Sequence, residues 1–264
     1  MIIKEKKITA VVCDFDGTLI RSGMREPSER FFELLKKLLE QGVEFIAASG
    51  RQYPNLRRSM REYANQIGYI AENGTLVSWK GTVLYKSVIE EQLAAAILGE
   101  ASELSKAELL VSGQNTGYVS TRNQDFLDMM VKQNGYLVTQ VPKLSRINEE
   151  KLKIAAYFPD GIPHRTEQYF HEKYDGKIQV VESGDQWLDF IPKGSGKGSC
   201  LKLLAQREGL DLAQTAAFGD SENDISMLRE AEVGYAMQTA KEMVRAAAAG
   251  VCECVEDILD AGMA

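Results

Sequence analysis

Cysteine and histidine are scarce in this chain. Four cysteines in 264 residues cannot form the disulfide framework of a small secreted scaffold. Cys252 and Cys254 lie two apart, but two sulfurs do not complete a zinc site. All four are read as reduced, mostly buried thiols. The only histidines, His164 and His171, fall seven apart on one expected helix with no acid or cysteine pattern beside them, and are read as surface or packing residues. A basic excess is also missing. The net charge is −7, which speaks against a nucleic-acid partner. No apolar run is long enough to span a bilayer, and charges interrupt "MIIKEKKITA" too early for a signal peptide. No membrane role and a cytoplasmic location are expected.

What remains is a rhythm. "ITAVVCDF" and "VEFIAASG" are short apolar runs suited to buried parallel strands, and the helix "PSERFFELLKKLLEQG" separates them. A second helix and the strand "YIAENG" follow. From about residue 76 the pattern changes to a hairpin around Lys80-Gly81, an Ala-rich helix, and short strands mixed with helices. After Pro192 the strand–helix alternation resumes. The expected fold class is α/β. A doubly wound, mostly parallel, Rossmann-like sheet is formed by 1–82 and 191–264, and an α+β unit is inserted at 83–190.

The stretch "PKGSGKGSC" invites a nucleotide reading that fails on spacing. A Walker loop needs glycine where Ile191 stands and Ser or Thr where Gly198 stands. Lys197 opens an expected helix, where an anion is favoured. Taken alone, the stretch leaves Lys197 open between an anion site and a solvated loop.

"VVCDFDGTLI" places Asp14 and Asp16 at the end of the first strand. Ligands of open α/β sheets bind beyond such ends. Turn formation alone would also account for Asp and Gly there. However, two further strands end in polar clusters, at Ser49-Gly50-Arg51 and at Asp220, Asn223 and Asp224. Carboxylates crowded on one rim repel unless a cation bridges them, and oxygen ligands suit Mg²⁺.

Asp14-Phe15-Asp16-Gly17-Thr18, then Ser49-Gly50-Arg51, then Lys197, then "GDSENDISML" resemble the four ordered motifs of the haloacid dehalogenase-like hydrolases. The resemblance spans the chain and includes "ENGT" at 72–75. It is nearest to the Cof-type phosphatases, whose α/β cap is inserted between the second and third motifs. The C-terminal "ECVEDILDAG" departs from the usual glycine-containing acidic turn.

The resemblance implies a Mg²⁺-dependent phosphomonoesterase working through an aspartyl-phosphate. Its substrate would be a small phosphoester, sugar phosphates first and phosphorylated vitamins next. Asp14 would be the nucleophile and Asp16 the acid–base. Asp14, the Asp16 main-chain carbonyl and Asp220 would hold the metal. Ser49, Gly50, Lys197 and Asn223 would hold phosphoryl oxygens, with Thr18 and Asp224 bracing the site. Arg51 is open between substrate and cap. Trp79 and Trp187 are read as packing. The cap is expected to be a mobile selector, leaving the rest to bind phosphate unaided. Two alternatives stay open: a phosphosugar mutase, and a non-catalytic phosphometabolite-binding regulator. A monomer or homodimer fits equally.

Overall fold

The computed structural model of the protein describes residues 1–263 other than Ser105 and Gly184. Eight strands form the larger sheet. Their order is Gly250–Cys252, Val233–Met237, Thr215–Gly219, Ala10–Asp14, Glu44–Ala48, Gly68–Ala71, Leu76–Trp79, Thr82–Lys86. The first six run parallel, Leu76–Trp79 pairs antiparallel with the sixth, and Thr82–Lys86 pairs antiparallel with Leu76–Trp79.

Alternation along the strands sorts side chains to two faces. Val11, Cys13, Phe45 and Ala47 pack with Phe31, Leu35 and Leu38 of the helix Glu29–Glu40. Ala10, Val12, Ile46 and Ala48 pack instead with Leu201 and Leu204 of the helix Lys197–Glu208. The sheet is therefore covered on both faces, as its apolar strands require. Ser28 caps the first of these helices, accepting from the Phe31 N–H at 3.0 Å. The unusual C-terminus folds regularly. The helix Val255–Met263 buries Val255 and Leu259 against the first face.

Chain order makes Ala10–Asp14 the place where the sheet reverses. The next strands build to one side of it, and Thr215–Gly219 pairs on the other. A ligand crevice forms at such a switch point, and Asp14 stands at its mouth.

The inserted unit is a six-stranded sheet. Its order is Val138–Gln140, Gly117–Val119, Glu108–Ser112, Lys153–Tyr157, Trp187–Pro192, Ile178–Ser183, and all pairs but the first are antiparallel. Helices Glu91–Ala101 and His164–Tyr174 pack on one face through Ile97, Phe170, Ile154 and Phe190. The expected boundaries at 82/83 and 190/191 both fall inside strands. Thr82–Lys86 belongs wholly to the large sheet and Trp187–Pro192 wholly to the small one. The crossings are 87–90 and 193–196. Hairpin pairing continues to Lys86 because Leu76 and Val77 still need partners on their open edge.

Candidate active site

Asp14 is buried at the end of its strand. Its Oδ1 accepts from the Lys197 ammonium at 2.5 Å. Its Oδ2 is buried and has no hydrogen-bond partner. The same ammonium donates to Asp224 Oδ1 at 2.5 Å. Lys197 is placed by the first turn of its helix and is 1% exposed. Burial alone would lower its pKa, but Asp14 and Asp224 outweigh that and hold it charged. Asp14 shifts the other way for a carboxylate. Burial, then Asp224, raise its pKa well above the ordinary range despite Lys197.

Asp220 ends the strand Thr215–Gly219. Its Oδ1 accepts from Thr18 Oγ1 at 3.1 Å, and Ser221 Oγ donates to Oδ2 at 3.3 Å. Gly17 passes directly beside that carboxylate with φ +86°, and a Cβ there would collide with it. Asp224 Oδ2 accepts from the Asp220 and Ser221 N–H groups at 3.0 and 2.9 Å. Both of its oxygens are thus engaged by protein donors.

Carboxylate oxygens of Asp14, Asp220 and Asp224 lie within 4.8 Å of one another. Three carboxylates against one ammonium leave an excess of two negative charges. That excess and the unpartnered Asp14 Oδ2 fit one divalent cation with oxygen ligands.

Asp14, Asp16, Ser49, Gly50, Lys197, Asp220 and Asn223 line one cavity of about 440 Å³. Thr18 and Asp224 stand behind it, each bonded to a lining residue. Ser49 is buried and its Oγ accepts from the Arg51 N–H at 3.1 Å, so its own proton is free for a ligand. Asn223 Nδ2 donates to Asn73 Oδ1 at 3.1 Å. Arg51 forms a two-pronged pair with Asp16 and lies over the Phe15 ring at 5.1 Å. Trp187 packs 4.9 Å from Tyr157, centroid to centroid, and also lines the cavity. A neighbouring cleft of about 730 Å³ shares Lys197, Asp220 and Asn223, but its outer wall carries Glu167, Glu182 and Glu222. That cleft sets five carboxylates against Lys197 and Lys241, whereas the smaller cavity sets four against Arg51, Lys153 and Lys197 and is the less repulsive to an anionic ligand.

A polar junction between the two sheets has no counterpart among the motifs read from the sequence. Lys153 and Asp189 of the inserted unit meet Glu72 and Asn73 of the large one. Lys153 Nζ lies 2.9 Å from Glu72 Oε2 and 3.4 Å from Asp189 Oδ2. Asn73 Nδ2 donates to Asp189 Oδ2 at 2.7 Å and to Ser183 Oγ at 2.9 Å. Glu72 and Asn73 both have positive φ, 52° and 57°. One signal was present: "WLDFIP" sets a lone acid inside an apolar strand, and a buried acid needs a buried partner.

The sequence profile of the haloacid dehalogenase-like hydrolases matches residues 11–261. The chain belongs to this family. Its inserted unit lies between the second and third motifs, the placement expected of the Cof-type branch. Among similar sequences is a 5-amino-6-(5-phospho-D-ribitylamino)uracil phosphatase of Escherichia coli. It is 27% identical over 241 residues, covering 91% of this chain and 89% of that protein. An HMP-PP phosphatase, also of Escherichia coli, is 25% identical over 235 residues, covering 88% and 85%. Among solved structures, a HAD subclass IIB sugar phosphatase superposes with a TM-score of 0.84 at 23% identity, covering 97% of this chain and all of the other. The hydrolase fold with its α+β cap is thus shared. Among the described residues no helix is long and apolar enough to cross a membrane.

Proposed function

We propose that this hydrolase is a Mg²⁺-dependent phosphatase that cleaves a small phosphorylated metabolite through an aspartyl-phosphate on Asp14. One observation carries the reading. Asp14 offers a bare, buried oxygen at the floor of a cavity also lined by Lys197 and Arg51, cations that suit a phosphate. The names of the relatives support the same class, since they act on phosphorylated compounds.

Asp14 and Asp220 would hold the metal by their carboxylates and Asp16 by its main-chain carbonyl. Bound there, Mg²⁺ would neutralise the charge between an anionic nucleophile and an anionic substrate. One oxygen of the Asp14 carboxylate attacks phosphorus, and the bond to the leaving oxygen breaks. Asp16 gives that oxygen a proton. The same carboxylate then takes a proton from the water that splits the acyl phosphate, which restores Asp14. Lys197, Ser49, the Gly50 N–H and Asn223 hold the transferring oxygens. Asp224 has no free oxygen for the metal and instead orients Lys197 and the Asp220 backbone.

The cap (strands 108–192 with their helices) closes the cavity with Leu110, Tyr136 and Trp187, so it would select the leaving group. A cavity of about 440 Å³ suits a metabolite-sized group. Sugar phosphates are the first class to test and phosphorylated vitamins the second. The test is orthophosphate release across a panel of phosphomonoesters, with Mg²⁺ and with EDTA. Release that needs Mg²⁺ is expected. No release from any ester, or equal release in EDTA, overturns the reading.

A further inference from the structure

Three consecutive carbonyls of the phosphate loop are each held by a different donor. The Ser49 carbonyl accepts from the Asn73 N–H at 3.1 Å, and the Arg51 carbonyl from the Glu72 N–H at 3.1 Å. Between them, the Gly50 carbonyl accepts from the Lys153 ammonium at 2.7 Å. The first two donors belong to the large sheet, but Lys153 belongs to the cap.

A trans peptide fixes its N–H opposite its C=O. Holding the Ser49 carbonyl therefore aims the Gly50 N–H. Holding the Gly50 carbonyl aims the Arg51 N–H, which donates to Ser49 Oγ and leaves the hydroxyl proton for a ligand. Lys153 is suited to this work. Its side chain is 5% exposed, and its ammonium donates to the Gly50 carbonyl while lying 2.9 Å from Glu72 Oε2 and 3.4 Å from Asp189 Oδ2. Burial would lower its pKa, but Asp189 and Glu72 more than reverse that. The ammonium thus stays charged and cannot wander.

We infer that Lys153 is a positioning residue for the reaction: from the cap, it sets the Gly50 peptide so that the Ser49–Arg51 loop can receive a phosphoryl group. The inference rests on the phosphatase reading above. It also departs from the sequence-based expectation that the large sheet binds phosphate unaided. With the cap displaced, the Gly50 carbonyl loses its partner and the loop loses one of three restraints. By linkage, phosphate and cap docking strengthen each other equally.

The test uses the full-length protein with Mg²⁺ and inorganic phosphate as probe, read by calorimetry and by the ¹⁵N–¹H signal of Gly50. Removing Lys153 alone would strand two buried acids, so the variants are charge-matched: K153M/E72Q and K153M/D189N. Each is expected to weaken phosphate binding at least tenfold and to shift the Gly50 signal before phosphate is added. D189N alone loosens the cap junction but keeps the ammonium on Gly50, and should bind within about threefold of wild type. K153R should recover most of the affinity. Wild-type affinity in a K153M variant that melts cooperatively overturns the inference. So does a D189N loss as large as theirs, which would mean cap tethering alone, and so does failure of both double variants to fold. Absence of phosphate binding by the wild type would instead count against the phosphatase reading.

Discussion

The Arg51 guanidinium holds both oxygens of the Asp16 carboxylate, with Nε 2.7 Å from Oδ2 and Nη2 2.5 Å from Oδ1. Arg51 is itself anchored. It lies over Phe15, reaches Asn55 Oδ1 at 3.4 Å and is 13% exposed, whereas the Asp16 side chain is 52% exposed. The arginine is the fixed partner and the aspartate the guest. Both Asp16 oxygens are occupied by the guanidinium, so the pair has to open before Asp16 can hand a proton to a leaving group. D16N should lower kcat about 10²–10⁴-fold on an alkyl phosphate, and less on nitrophenyl phosphate, whose leaving group needs little protonation. R51M should lose less than D16N on the same alkyl ester, because the carboxyl remains. Equal losses for both esters would remove the acid role from Asp16.

Asp14 is costly to the metal-free fold. It is buried beside Asp224, with one oxygen bare and a pKa raised first by burial. Its ionisation at neutral pH therefore opposes folding. D14N should abolish turnover and, in EDTA at pH 7, raise Tm by about 2–4 °C, the equivalent of roughly 1 kcal/mol. Melts of both proteins in chelator decide this. A variant that is inactive and also markedly less stable would mean that Asp14 supports the fold rather than straining it.

Metal should reverse that strain. Mg²⁺ is expected to raise the Tm of the wild type in proportion to its occupancy. In D220N the rise should be much smaller at the same concentration, because one of two carboxylate ligands is gone. EDTA should silence the wild type and added Mg²⁺ restore it. If D220N and wild type show the same Mg²⁺-induced shift, Asp220 is no ligand.

The strand ends were legible in the sequence for a physical reason. A buried parallel strand must be apolar along its length, so polar residues mark where it stops, as at Asp14, Ser49 and Asp220. Lys151-Leu152-Lys153-Ile154 misleads by the same logic. It reads as a strand with a wet face, yet both lysines are buried. Lys151 finds Glu91 at 2.7 Å, and Lys153 finds Glu72, 81 positions away in the chain. The first pair forms when the inserted unit folds and the second only once the two sheets have docked, and no local pattern announces either. The strand Val138–Gln140 escaped notice because it is three residues long and half exposed on a sheet edge. The split strands at the domain crossings reflect the same limit: hairpin pairing, not composition, decides where a sheet ends.

Glu256 tests how the divergent C-terminus is held. It is 1% exposed at the start of the last helix. Ser28 Oγ donates to its Oε1 at 2.8 Å and Cys254 Sγ to its Oε2 at 3.0 Å, while Arg21 lies 3.4 Å away. It thereby ties the last helix to the cap of the helix Glu29–Glu40. Burial alone would raise its pKa, but the Cys254 and Ser28 hydrogen bonds and the Arg21 charge bring it below the usual glutamate value. The folded state therefore binds this proton less readily than the unfolded state does. The stability this gives is present above the unfolded pKa of about 4.3 and is lost as pH falls through the lower folded value. E256Q should lower Tm by about 2–6 °C at pH 7, the loss expected for a buried charged hydrogen-bond acceptor. The gap between variant and wild type should narrow as pH falls below about 4, where the wild-type carboxylate also becomes neutral. Thermal melts of the two proteins from pH 7 to pH 3.5 measure this directly. A gap that stays constant across that range would show that Glu256 acts through shape rather than charge.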